Sequence, residues 1–143
     1  MIRWHLFLAG WLAGVGLAGC QLQERLSPAG PCVQGECRVA VSVGPDCHLA
    51  VDPEHLHVPS GGEAHVLWRI DPPSAPFVFD ANGISFPPGQ NPNQLFDQKE
   101  PREQGKVFHW RDKNDRRGDF KYVVNVRDAA GRLCQLDPFI HNQ

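Results

Sequence analysis

Near its C-terminal end the chain reads Leu136-Asp137-Pro138-Phe139. An Asp-Pro bond is the most acid-labile ordinary peptide bond. The Asp side chain can attack its own backbone carbonyl and close a five-membered anhydride, with the nucleophile already covalently placed. The tertiary amide nitrogen of proline then leaves once it is protonated. At neutral pH a folded site would have to supply an aligned Asp137, a proton donor to the Pro138 nitrogen and donors to the oxyanion. A second carboxylic acid whose pKa is raised by burial could give the proton. The candidates are Asp80, at the end of Phe77-Val78-Phe79-Asp80, Asp112, in His109-Trp110-Arg111-Asp112, and Asp52. His141, in the same terminal segment, is an imidazole alternative. The plainer reading of the bond is structural. The chain has three such bonds, Asp52-Pro53, Asp71-Pro72 and Asp137-Pro138. Proline ends strands and blunts sheet edges, and an Asp before it can hold local backbone N–H groups.

The elements that must position these residues read as strands. Val39, Val41 and Val43 alternate in 37–43, and short apolar runs follow at 48–52 and 54–58 around Pro53. The segment 63–70 follows the turn Pro59-Ser60-Gly61-Gly62. Phe77–Asp80 and Gly83–Phe86 flank Ala81-Asn82-Gly83, where Asn-Gly is a tight-turn signal. Segment 106–112 leads into a polar turn, 119–128 is the longest expected strand, and a turn at 129–131 sends the chain back through 132–140. No stretch sustains a helical period. Strands at this spacing with Gly, Pro and Asn punctuation predict a single all-β domain, a β-sandwich or small barrel, over 36–143. Residues 87–105, rich in Pro, Gln and Asn, read as a long loop and a candidate contact surface. Trp68 and Trp110 are expected in the core.

The first residues place the domain. Arg3, an apolar run from Leu6 to Leu17 too short to span a bilayer, and Leu17-Ala18-Gly19-Cys20 form a leader resembling the bacterial lipoprotein lipobox. That resemblance implies a signal peptide over 1–19, lipid on Cys20, and a Pro- and Gly-rich tether over 20–35. Gln21 after the cysteine favours the periplasmic leaflet of the outer membrane. In that oxidising compartment the remaining four cysteines are expected as disulfides rather than as a zinc site; three connectivities are possible, of which Cys32–Cys37, a local loop, with Cys47–Cys134 is favoured. The formal net charge is −2, and no basic patch stands out, which argues against a nucleic-acid partner. The membrane, through lipid on Cys20, is the expected contact of a monomer.

Two resemblances sharpen the expectation. The segment Gly118–Val126 resembles the penultimate strand of cupredoxin-like and other Greek-key sandwiches, which implies an all-β Greek-key, cupredoxin-like β-sandwich or small barrel, but Val124 stands where a copper thiolate belongs and the only methionine is Met1, so no blue-copper site follows. Over about 37–142 the chain resembles the bacterial DP-EP family of small β-domain proteins, through "CHLAVDPEHLHV", "VLWRI", "FVFDANGISF", "FHWRDKN", "GDFKYVVNV" and "CQLDPFIHN". It departs at Glu54-His55, where the family name suggests Glu-Pro. The resemblance implies a compact β-domain and an aspartic-type peptidase that cuts its own Asp-Pro bond, here Asp137-Pro138. No Asp is followed by Thr or Ser and then Gly, so pepsin-like chemistry on other proteins is not expected. The alternative is a non-catalytic binding or structural module of the cell envelope.

His55 and His57 alternate on one strand face, with His48 and His65 on neighbouring segments. Such imidazoles could bind Zn²⁺ or Cu²⁺, but period-two histidines also suit a solvated face, and no metal or other cofactor is assigned. The Arg117-Gly118-Asp119 triplet is explained by its turn glycine.

Overall fold

The computed structural model describes residues 30–74 and 76–143. It is all-β. Apart from single 3-10 turns at Pro45–Cys47, Pro72–Ser74, Pro92–Gln94 and Glu103–Gly105, its elements are strands: β1 (Cys32–Val33), β2 (Glu36–Val43), β3 (Leu49–Asp52), β4 (His55–Val58), β5 (Ala64–Ile70), β6 (Ile84–Ser85), β7 (Phe96–Arg102), β8 (Val107–Asp112), β9 (Gly118–Lys121), β10 (Val123–Arg127), β11 (Leu133–Leu136) and β12 (Phe139–Asn142). A six-stranded sheet runs β1-β2-β5-β8-β7, with β3 also on β2. Two three-stranded sheets, β11-β10-β6 and β4-β12-β9, complete a sandwich-like fold that does not close into a barrel.

Period-two alternation builds the core. In β5, Ala64, Val66, Trp68 and Ile70 are buried while His65 and Arg69 are exposed. In β4, Leu56 and Val58 are buried and His55 and His57 exposed. The inner faces meet through aromatic edges. Trp68 packs T-shaped on Tyr122 at 5.4 Å and Phe96 on Phe120 at 5.4 Å. Trp110 donates its indole N–H to the Ile84 carbonyl at 3.0 Å, which satisfies its polar end inside the core. The disulfides Cys32–Cys37 and Cys47–Cys134 are formed as expected. The first ties β1 to β2, and the second ties the 3-10 turn before β3 to β11.

The segment read as one long strand, 119–128, and its return form a single hairpin shared between two sheets. The pairs from Arg127↔Leu133 to Val124↔Leu136 continue without slip into Lys121↔Phe139 to Gly118↔Asn142. The upper half joins β6 and the lower half joins β4. The passage lies at Tyr122 on one arm and Asp137-Pro138 on the other. There the Tyr122 N–H donates to the Pro138 carbonyl at 3.0 Å. Pro138 has no N–H to return the bond, so the ladder opens where the strands turn from one sheet to the other. Asp52-Pro53 does the same between β3, on β2, and β4, on β12. Asp71-Pro72 ends β5.

One expectation is corrected. Residues 87–105 are not a loop throughout: β7 pairs antiparallel with β8, with a bulge between Asp97 and Glu100. Asn82-Gly83 makes the expected turn, with Gly83 N–H on the Asp80 carbonyl, and its flanks pair elsewhere. Val78 bridges Arg127 and Ile84 pairs with Val124, so both lie along β10. Ahead of Glu36, Cys32 and Val33 pair with Cys37 and Glu36.

Candidate functional site

Three separate places receive the residues singled out from the sequence. Cys20 and the leader lie outside the described residues.

The first place is the Asp-Pro bond. Pro138 is buried and Asp137 is exposed. The Asp137 carboxylate pairs with Lys121 Nζ at 3.0 Å, its neighbour across the hairpin on β9. Among the described residues no carboxyl or imidazole pairs with it. The nominated donors stand elsewhere. Asp80 pairs with Arg127 Nε at 3.0 Å and accepts the Asn82 N–H at 2.8 Å in its own turn. Asp52 is exposed at the end of β3. His141 lies along β12 and donates to or accepts from groups of another cluster.

The second place holds Asp112. Its side chain is fully buried at the inner end of β8. Oδ1 accepts the Asn114 N–H at 2.7 Å and the Asn142 Nδ2–H at 3.2 Å, while Asp112 Oδ2 and Asn142 Oδ1 are buried without a partner. Burial pushes the carboxyl up to about 6, against the lowering effect of the Asn114 and Asn142 hydrogen bonds. This is the raised acid that the Asp-Pro chemistry asks for, but it touches Asn142, at the far end of β12 from Pro138, about 13 Å along an extended strand.

The third place was not legible as a unit. Parallel pairing of β4 with β12, and antiparallel pairing of β12 with β9, align His57, His141 and Asp119 in one row across the solvent face. His141 Nδ1 lies 2.6 Å from Asp119 Oδ1, and its Nε2 lies 2.9 Å from His55 Nδ1. A carboxylate accepts only, so His141 Nδ1 carries a proton, and in the neutral ring its Nε2 is the acceptor of the His55 Nδ1–H. His57 stacks on His141 at 4.7 Å. His65, grouped with these from sequence, is instead on the opposite sheet. Its Nδ1 is 2.9 Å from His109 Nε2. His109 is buried, with Nδ1 unpartnered. Its pKa is lowered by burial first and then by the charge of Arg102. His48 joins neither pair. Among the described residues no group of three or more His, Cys, Asp or Glu is placed to hold a metal ion.

Compared with known proteins, the chain matches no family model and no curated protein sequence.

Proposed function

We propose that this protein is a lipid-anchored, non-catalytic binding or structural module of the bacterial cell envelope, held at the membrane through Cys20. Its DP-EP-like pieces are those of a folded β-domain. The observation that carries this reading is the use made of Asp137-Pro138. The proline sits buried at the sheet switch, and the carboxylate is exposed and engaged by Lys121. An attack on the Asp137 carbonyl would need a proton donor to the Pro138 nitrogen, and the raised acid, Asp112, is at the other end of β12. Two disulfides support an oxidising compartment. The exposed edge of β7 is a candidate contact surface. Its Lys99, Glu100, Pro101 and Arg102 disfavour addition of a further strand, so contact there would run through side chains.

Self-cleavage at Asp137-Pro138, the activity the DP-EP resemblance implies, is the competing reading, and one assay separates the two. Full-length chain, solubilised in detergent, is held for days at mildly acidic and at neutral pH and followed by intact-mass spectrometry. The module reading expects no loss of 138–143. Loss of that segment at a rate independent of protein concentration, absent in Asp137→Ala, would overturn it. Labelled palmitate incorporated by the wild-type chain and not by Cys20→Ala tests the anchor.

A further inference from the structure

We infer, independently of the envelope-module reading, that the His65–His109 pair on the outer face of the six-stranded sheet is a pH switch. It takes up one proton through exposed His65, and the charge transfers Glu63 from Arg111 to His65.

A count of protons points to it. His65 Nδ1 and His109 Nε2 are 2.9 Å apart and the ring centres 5.2 Å apart, so the two nitrogens face each other in line and share one proton. A carboxylate stands at each outer end. Glu63 Oε1 is 3.8 Å from His65 Nε2, and Glu100 Oε1 is 3.8 Å from His109 Nδ1. Two neutral imidazoles carry two protons. One lies between the rings and the other serves one outer nitrogen, so the second outer nitrogen turns a lone pair towards a carboxylate. A third proton puts an N–H at both ends. The His55–His141 pair is the contrast. It has one carboxylate, Asp119, at one end, and the two protons of the neutral rings already satisfy it.

The charge settles on His65. Its partner His109 is buried, and burial followed by the charge of Arg102 holds the His109 pKa down. His109 therefore stays neutral. It keeps its proton on Nδ1, drawn by Glu100 and by the Gln98 backbone, and accepts from His65 at Nε2. His65 then carries an N–H on both nitrogens, the outer one facing Glu63.

The surrounding charges leave one group free to respond. Glu36, opposite His65 on β2, is paired with Arg38 at 2.7 Å. On β7, Glu100 accepts from Arg102 Nε at 2.6 Å. Arg111, opposite His65 on β8, opposes the new charge, but Asp97 holds it through two hydrogen bonds of 2.7 Å. Glu63 has a choice: Oε2 is 3.5 Å from Arg111 Nη1 while Oε1 faces His65. Because Asp97 keeps Arg111 paired, Glu63 can leave it when His65 charges. Glu63 directly follows the turn Pro59-Ser60-Gly61-Gly62, so the transfer is felt at Gly61 and Gly62. Imidazoles change charge between about pH 5 and 8, and that is the working range of the device.

The test is a pH titration, from 8 to 5, of ¹⁵N-labelled full-length chain in detergent, read by long-range ring correlations of the histidines and by the Gly61 and Gly62 amide shifts. His65 is expected to become doubly protonated while His109 stays neutral with its proton on Nδ1. The two glycine amides move with the His65 midpoint. Glu63→Gln lowers the proton affinity of His65 about 3- to 10-fold and uncouples the glycines, and His65→Gln abolishes their response. Glu63 and His65 are both exposed, so neither variant disturbs the core. An unchanged His65 midpoint in Glu63→Gln overturns the inference, as does a bare His109 Nδ1 at pH 5 or a glycine response that persists in His65→Gln.

Discussion

Tyr122 and Pro138 face each other across the hairpin, joined by one backbone hydrogen bond of 3.0 Å at the point where both arms leave one sheet for the other. In an unbroken ladder the residue opposite Tyr122 would donate back to its carbonyl. Proline withholds that bond and holds the backbone of Asp137 extended. The acid-labile dipeptide is therefore a corner piece. Pro138→Ala, which restores an N–H, removes a buried ring and frees the unfolded chain, is expected to destabilise the domain by about 1–3 kcal/mol. Asp137→Ala, which loses only an exposed ion pair with Lys121, is expected to change stability by less than about 1 kcal/mol. Urea denaturation of both variants checks the contrast.

The two disulfides close loops of very different length, with separations of 5 and 87 residues. Chain entropy makes the longer one the stronger staple by about 2–3 kcal/mol. Cys47→Ala with Cys134→Ala should therefore lower the denaturation midpoint more than Cys32→Ala with Cys37→Ala. Equal losses would mean that native packing around Cys134, not loop closure, sets the effect.

Gly105 and Gly131 both adopt positive φ, +80 and +82. A Cβ on Gly105 would lie 2.7 Å from the Phe79 carbonyl oxygen, whereas one on Gly131 meets nothing within 4 Å. Alanine at 131 should cost about 1 kcal/mol, the backbone strain alone. Alanine at 105 should cost distinctly more, because the Gly105 carbonyl also accepts the Phe79 N–H. Thermal denaturation of the pair separates strain from collision.

The buried alternation of Val39 and Val41, of Val66 and Trp68, and of Val124 and Val126 is written in the sequence, because a strand with one dry face must place apolar side chains at every second position. That the four cysteines pair was readable from their even number, but the sequence left three connectivities open, and the fold shows the favoured one, Cys32–Cys37 and Cys47–Cys134. β7 was not readable. As an edge strand exposing Gln98 through Arg102, it buries only Phe96, and backbone pairing alone leaves no apolar period. Asn82-Gly83 carried the right turn chemistry, but its flanks found partners on β10, a choice made by tertiary packing. The histidine row was invisible for a topological reason. His55 meets His141 across 86 residues through a parallel β4–β12 pairing, whereas sequence proximity had grouped His55 with His48 and His65.

Asp112 gives the sharpest pH signature. Its carboxyl is raised from 3.8 to about 6 by burial, so the folded state binds its proton more tightly than the unfolded chain does. The stability it contributes is complete below pH 4 and is lost as pH rises through about 6, amounting to about 3 kcal/mol for a shift of about two units. The geometry explains why the neutral form suits the site. A proton on Oδ2 would let Asp112 donate towards the unpartnered Asn142 Oδ1 while Oδ1 keeps the Asn142 amide and the Asn114 N–H. His109 acts with the opposite sign. Its pKa is lowered in the fold, so its contribution is complete above about pH 6.5 and falls as the medium becomes more acid. Asp112→Asn places a permanent donor against Asn142. It should raise stability at pH 7.5 by about 1–3 kcal/mol, with no comparable gain at pH 4.5. Urea midpoints of wild type and variant from pH 4 to 8 measure the difference directly. A variant that is equally displaced at every pH would show that Asp112 does not titrate in the fold.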